Sequence, residues 1–295
     1  MKAIDVSLAV FITAIWGANF SVIKLGLTSI DPFMLAGIRF LLCAVPAIFI
    51  LPRPKVSVMY LASYGFLFGV GLWGIVNLGI QAGLSAGIAS LVLQLSAFFT
   101  IILGSLVFKE SISRFQCFGI VIALLGLATI ITITDGSVTI LGVILVVIGA
   151  LSWSLANIII KLAGTKDVLA FLVWSCLFSP IPLFAIAFFQ HGTEIYSTTL
   201  SNLNWIAIFS ILFQVYPTTL FGYWAWNKLL KIYPVSSVAP LSLLVPVFGM
   251  IGSSLIFDEH ISTTKIIATA LIVLGLAVSL YGYKIQKIIF GHSSA

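Results

Sequence analysis

Charge is what this sequence has least of. Asp, Glu, Lys and Arg together make up 7% of its 295 residues, where a soluble domain carries about 25%. No stretch is polar enough and long enough to fold as a separate soluble domain. Carboxylates are scarcest where they would matter most, because no Asp or Glu falls near the middle of any long apolar run. That excludes a simple membrane-carboxylate proton antiporter. It also removes the group that drug-cation sites usually hold in the membrane at a cost of roughly 2.5–3.5 kcal/mol. There is no Walker loop, so any transport is secondary rather than ATP-driven. Without a nucleophile elbow, HExxH or dinucleotide fingerprint, neither a cofactor nor a catalytic residue is expected.

Cysteine is sparse as well. Cys43, Cys117 and Cys176 lie far apart inside apolar segments and read as small hydrophobes, without metal-ligand or redox spacing. Asp258-Glu259-His260 gathers ligating residue types, but three adjacent side chains rarely converge on one ion, so no metal site is expected. The formal charge of +6 does not point to nucleic acid, because the basic residues sit at the ends of apolar segments, where they set topology.

What the chain has is apolar length. Hydrophobic residues make up 61% of it, and runs of about 18 or more recur along nearly the whole sequence, which predicts a polytopic helical membrane protein embedded in a lipid bilayer. The expected spans are 4–26, 32–51, 58–80, 85–107, 114–132, 138–160, 168–190, 204–229, 235–256 and 263–284. The first lacks a convincing small-residue cleavage site and is full length, so it reads as a retained span. Breaks fall at turn or charge signals such as Asp31-Pro32, Asp135-Gly136, Tyr233-Pro234 and Asp258-Glu259, with short connections between antiparallel neighbours. With the N-terminus cytoplasmic, Lys2, Arg53, Lys55, Lys109, Arg114, Lys161, Lys166, Lys228, Lys231, Lys284 and Lys287 fall inside, against Lys24, Arg39 and Lys265 outside. Both termini are therefore expected in the cytoplasm.

The chain also repeats itself. Phe108-Lys109-Glu110-Ser111-Ile112-Ser113 returns as Phe257-Asp258-Glu259-His260-Ile261-Ser262, and Gly126-Leu127 as Gly275-Leu276. Trp16, Asn19 and Lys24 answer Trp153, Asn157 and Lys161, although the Trp-to-Asn distance is one residue longer in the second copy. Five spans per copy is an odd number, so the second copy is inverted in the membrane. The expected organisation is one five-helix repeat over 1–135 and a second over 136–295, an all-α arrangement found mainly in secondary transporters.

Polar residues form stripes on several spans. Trp16, Asn19 and Lys24 share one side of the first; Trp73, Asn77 and Gln81 of the third; Ser90, Gln94 and Phe98 of the fourth; Trp153, Asn157 and Lys161 of the sixth; Tyr216, Tyr223 and Asn227 of the eighth, with Gln214 nearby. Amides in hydrocarbon need partners, so these faces should meet one another or a wet cavity. Pro240 and Pro246 bracket a segment of the ninth span where an irregular backbone would face such a cavity at Ser242. Each residue also has a plainer reading. Intramembrane amides act as interhelical glue worth about 0.6 kcal/mol. Trp16, Trp205 and Trp224 suit interfacial anchors, and Lys24 suits snorkelling. Arg39 suits a structural partner such as Asp31 or a carbonyl, and Glu110 and Glu259 suit helix capping or loop bracing.

Trp16-Gly17-Ala18-Asn19-Phe20 with Lys24, Leu35-Ala36-Gly37-Ile38-Arg39-Phe40 and Val238-Ala239-Pro240-Leu241 together resemble the EamA type of the drug/metabolite transporter superfamily, over essentially the whole chain. Within it, Ala36-Gly37-Ile38-Arg39-Phe40, Ala86-Gly87-Ile88-Ala89-Ser90-Leu91-Val92-Leu93-Gln94 and Val238-Ala239-Pro240-Leu241-Ser242-Leu243-Leu244-Val245-Pro246 are similar to bacterial exporters of O-acetylserine and cysteine. The resemblance implies ten helices in inverted five-helix repeats. Spans 1, 3, 4, 6, 8 and 9 would surround a central cavity, with spans 5 and 10 at the periphery. The expectation is an inner-membrane secondary transporter, monomeric or homodimeric, that exports small polar metabolites such as amino acids or their derivatives. Its candidate site residues are Trp16, Asn19, Lys24, Arg39, Asn77, Gln81, Gln94, Trp153, Asn157, Tyr216, Tyr223 and Ser242. The rivals are a multidrug or lipophilic-cation exporter of the same fold, and a membrane-embedded lipid-modifying or assembly protein.

Overall fold

A computed structural model describes the backbone of residues 1–290; the side chains of 235, 236 and 283–290 lie outside the described set, and with them Lys284 and Lys287 from the tally of basic residues. Among the described residues, ten helices are long and apolar enough to cross a membrane: Ala3–Gly26, Pro32–Phe49, Val58–Gln81, Ala86–Phe108, Arg114–Ile131, Ile140–Ala163, Val168–His191, Trp205–Ile232, Ala239–Phe257 and Thr263–Gly282. They are called the first to the tenth span below. At about 1.5 Å of rise per residue, their 18 to 28 residues are enough to cross a hydrocarbon core of about 30 Å. The surface is apolar where a soluble protein's would be polar: Phe49, Phe189 and Leu255 are about four-fifths exposed. Lipid covers that surface, and the chain is a multi-pass membrane protein.

Local sequence starts and stops the helices. Asp31 accepts hydrogen bonds from the backbone of Phe33 and Met34, with Pro32 in the first helical position. Ser113 and Gln116 form a reciprocal capping box at the fifth span. Thr139, Asp167 and Asn204 cap the sixth, seventh and eighth spans. The fourth and ninth spans end on left-handed, non-glycine residues, Lys109 (φ 56°) and Asp258 (φ 51°). Each turns the chain so that the next residue, Glu110 or Glu259, leaves the helix axis. These positions stand 149 residues apart (109 to 258), as do Phe108 and Phe257, and Gly126 and Gly275. The internal repeat is therefore structural as well as sequential, and five spans per copy make it inverted.

Two irregularities recur at corresponding places in both copies. The third and eighth spans each widen into a π segment, Phe66–Gly74 and Gln214–Phe221. The fourth span breaks between Ala86–Leu93 and Ser96–Phe108, and the ninth begins as a 3-10 turn, Ala239–Leu244, before Val245–Phe257. Such departures free backbone groups and collect at functional places. The segment between Pro240 and Pro246 is thus irregular, as its prolines predict.

The fifth and tenth spans pack on each other through small residues: a Cβ on Gly275 would stand 2.6 Å from the Gly119 carbonyl oxygen. The first span lies so close to the ninth that a Cβ on Gly17 would meet the Val245 carbonyl oxygen at 2.6 Å. One connection departs from the short loops expected. Between the seventh and eighth spans, Glu194–Ser201 forms a surface helix that buries Ile195 and Thr199, four residues apart, on one face.

Candidate functional site

A cavity of about 1010 Å³ lies between the two copies. Its walls come from spans 1, 3, 4, 6, 8 and 9, with additions from the second (Arg39), the seventh (Val168, Leu172) and the tenth (Leu276, Ser279, Leu280). The tenth span, expected at the periphery, reaches the wall; among the lining residues none comes from the fifth. The lining includes Thr100, Ile101, Lys161, Gly164, Thr165, Trp226 and Asn227, which sit toward the face carrying the described chain ends. Lys24 and Glu259 at the opposite ends of their helices are not part of it. The cavity therefore opens toward the terminal face and has its floor in the other half of the bundle.

Eight of the twelve candidate residues line this cavity: Trp16, Asn19, Arg39, Gln94, Trp153, Asn157, Tyr223 and Ser242. Trp16 packs against Tyr223 and Trp226 at ring-centroid distances of 5.6 and 5.1 Å, and its indole N–H donates to the Thr218 carbonyl at 3.0 Å. Trp153 and Tyr223 both meet Phe68, at 5.3 and 6.0 Å. Gln94 stands where the fourth span breaks, and Ser242 within the 3-10 turn of the ninth. The two helix irregularities thus face the same space.

Four candidates stand elsewhere. Asn77 is fully buried against the second span, donating to the Pro32 carbonyl at 3.2 Å. Gln81 is exposed at the end of its helix. Tyr216 is 49% exposed on the outer surface of the eighth span. Counted at α-helical periodicity, Tyr216 and Tyr223 share a face, but the π segment between them takes more residues per turn and turns them apart. Lys24 does not snorkel. Its Nζ sits 2.6 Å from Glu259 Oε1 and 4.2 Å from the Phe257 ring centroid.

Arg39 is wholly buried, and its partners are neutral. Nε and Nη2 donate to Thr219 Oγ1 at 3.3 and 3.0 Å, and Nη1 donates to Gln214 Oε1 at 3.4 Å. Its guanidinium carbon lies 4.4 Å from the Trp73 ring centroid. The π segment makes this possible: Thr219 Oγ1 donates to the Gln214 carbonyl at 2.7 Å, bridging the widened turn next to Pro217. Asp31, the carboxylate considered for Arg39, instead caps the second span and lies 3.3 Å from His191. Trp226 and Thr218 line the cavity without belonging to any of the polar stripes, and Trp73 lines it from the stripe of the third span although it was not among the twelve candidates. Trp226 carried a usable signal, standing three residues after Tyr223 on the same helical face.

Glu110 and Glu259 do more than cap or brace. Lys24 of the first copy pairs with Glu259 of the second, and Lys161 of the second pairs with Glu110 of the first, both at 2.6 Å. Phe257 and Phe108 lie under the two ammonium groups at 4.2 and 4.1 Å. The environments differ: Lys24 and Glu259 are 31% and 16% exposed, Lys161 and Glu110 54% and 57%. At the floor end, Ser253 also donates to Glu259, and the buried Lys265 bonds Asp135 at 2.9 Å and the His260 carbonyl at 2.9 Å. Burial disfavours the charged carboxylates there, yet bonds from Lys24 and Ser253 hold Glu259 below its usual pKa, and bonds from Ser137 and Lys265 hold Asp135 at about 2.

Comparison with known proteins agrees with this architecture. The sequence profile of the EamA-like transporter family matches twice, over residues 4–132 and 140–281. Two proteins named "Probable amino-acid metabolite efflux pump", from Salmonella typhimurium and Escherichia coli, are 35% and 36% identical over 293 residues, covering 97% of this chain and 98% of each relative. A chain in a solved crystal structure superposes with a TM-score of 0.61 at 16% identity, over 93% of this chain and 96% of its own length, and shares the fold.

Proposed function

The chain belongs to the EamA-like transporter family, and from that we propose that it is a secondary transporter exporting small polar metabolites, amino acids or their derivatives foremost. The observation that carries this reading is the cavity itself: about 1010 Å³, built by both inverted copies, open toward one face and latched at the other by paired charges. That is one end state of alternating access, in which two bundles rock about a fixed central site. The mirror pairing of Lys24–Glu259 and Lys161–Glu110 supports a second end state of the opposite sense. Breaking the first pair and tightening around the second would expose the same residues to the other face.

The amide and aromatic lining fits small metabolites with polar and apolar parts. Asn19, Gln94, Asn157 and Ser242 supply hydrogen bonds, and Trp16, Trp153 and Tyr223 supply stacking surface. The two relatives named as efflux pumps support amino-acid derivatives as the first class to test, with cysteine and O-acetylserine at its head. The bias of basic residues toward the terminal face supports cytoplasmic termini in a bacterial inner membrane, so that the observed opening faces the cytoplasm, where an exporter loads. In this reading the two repeats are 1–135 and 136–295, and the chain carries out no covalent chemistry.

Purified protein in liposomes tests it. Labelled L-cysteine or O-acetyl-L-serine should show saturable flux that Asn19→Ala and Gln94→Ala reduce without reducing the amount of protein inserted. Absence of saturable flux across a panel of amino acids and their acetyl derivatives would overturn the reading.

A further inference from the structure

The floor of the cavity is built from donors without acceptors. Arg39 carries five N–H donors, of which three are occupied by Thr219 and Gln214; the others have no hydrogen-bond partner among the described residues. The side-chain nitrogen of Asn19 and the indole nitrogen of Trp73 are both buried without a partner, and both residues line the cavity. The groups are tied into one patch. Trp73 stacks under the Arg39 guanidinium at 4.4 Å, and Thr218, adjacent in sequence to the Thr219 that holds Arg39, donates to Asn19 Oδ1 at 3.0 Å. That last bond occupies the amide oxygen and turns the Asn19 NH2 toward its free side.

Among the described residues that line the cavity, the charged side chains are Arg39 and Lys161, and Asp and Glu do not occur. A wholly buried guanidinium with only neutral partners is costly in a membrane interior, and so are unpaired buried N–H groups. One kind of ligand relieves all of these costs together: an acceptor-only group with a negative charge and two oxygens, matched to the planar fork of the guanidinium.

We infer that Arg39, with the free N–H groups of Asn19 and Trp73, forms a receptor for the substrate's carboxylate, and that this group, rather than an ammonium, is the one a ligand must carry. This rests on the transporter reading above and names the chemical class its site takes: small carboxylates, amino acids among them, with the amine dispensable. A lipophilic cation meets like charge at this floor.

The test uses matched triplets built on cysteine, serine and leucine: the free amino acid, its N-acetyl derivative and its amide. Binding to the detergent-purified full chain is read from intrinsic tryptophan fluorescence, and liposome flux of the labelled free amino acid is measured separately. The acid and the N-acetyl acid should bind comparably, and the amide at least about tenfold more weakly, the scale of a lost charge-assisted bond. Trp73→Phe keeps the ring and deletes the N–H; it should weaken the two acids several-fold and leave the amide unchanged. Arg39→Gln should erase the difference between acid and amide. Amides that bind as well as acids, or N-acetyl acids that fail where free amino acids bind, would overturn the receptor while leaving transport standing. Carboxylate-selective binding without flux in any triplet would sustain the receptor and remove the transport reading. A full panel without binding would overturn both, and Trp73→Phe decides the receptor if Arg39→Gln fails to insert.

Discussion

Lys24 and Glu259, 235 residues apart in sequence, meet at 2.6 Å and join the first inverted copy to the second at the closed end of the cavity. Lys161 and Glu110 repeat the contact with the copies exchanged, at the rim of the open end and in fuller contact with solvent. Exposed pairs contribute about 0–1 kcal/mol, whereas removing one partner of a sheltered pair also strands the other charge. The two pairs are therefore unequal latches in this state.

Glu259→Gln should loosen the closed end and shift the population toward the opposite opening, and Glu110→Gln should do so far less. A thiol reporter placed at Ile261, which lines a small pocket with Glu259, in a chain whose exposed Cys117 is replaced by Ser, reads this as faster modification by a membrane-impermeant reagent. The exchange Lys24→Glu with Glu259→Lys should return the rate toward that of the unaltered chain. Equal rates in Glu259→Gln and the unaltered protein would show that the pair holds nothing shut.

The latch should be insensitive to pH over the physiological range. Burial alone would raise the Glu259 pKa, but the bonds from Lys24 and Ser253 overcome it and leave the pKa below the ordinary 4.5. A depressed carboxylate contributes stability that is fully present above its unfolded pKa and is lost as pH falls through the folded value. Asp135, held at about 2, follows the same sign. Reporter modification, divided at each pH by that of the same thiol in the unfolded chain so that thiolate ionisation cancels, should therefore stay flat from pH 8 to pH 5 and rise only in stronger acid. A midpoint near neutrality would assign closure to another group.

Thr219→Val should uncouple Arg39 from the eighth span. The hydroxyl accepts two guanidinium bonds and bridges the π turn, so its loss should cost about 1.5–3 kcal/mol, read as a lowered unfolding temperature. Binding of carboxylate ligands should weaken along with it. An unchanged unfolding temperature would mean that Arg39 finds other partners readily.

Gly275→Leu separates packing from transport. Its side chain would enter the Gly119 backbone of the fifth span, whereas the neighbouring Leu276 lines the cavity. The expected cost is about 1–3 kcal/mol for overpacking, seen as lost thermal stability with unchanged ligand affinity in the protein that remains folded. A changed affinity would tie this peripheral pair to the site.

The fold was plain in the sequence because its signals are long and redundant. An apolar run of some 20 residues has few other readings, and the second copy checks the first at Phe108 and Phe257, or Gly126 and Gly275. The site was readable only where the helix stays regular. Trp16, Trp153 and Asn157 follow α-helical spacing to the cavity wall, whereas Tyr216 is carried off by a π segment whose wider turn leaves no mark in residue spacing. Gln81 and Asn77 obeyed the same periodicity, but whether a stripe faces a cavity, a neighbouring helix or the surface is set by packing. The partnership of Lys24 with Glu259 was equally hidden, since their matching places in two copies do not reveal that the copies exchange partners.

If the chain transports by alternating access, the end of the bundle near Lys24 and Glu259 must open and close in every cycle. In a Cys117→Ser background, which removes the exposed cysteine and keeps the buried Cys43 and Cys176, Lys24→Cys with Glu259→Cys can be joined by a short, reducible thiol cross-linker and assayed for amino-acid flux in liposomes. The cross-linked protein should carry no flux and should regain it on reduction, while either single cysteine treated alike stays active. Undiminished flux through the fully cross-linked protein would contradict the account.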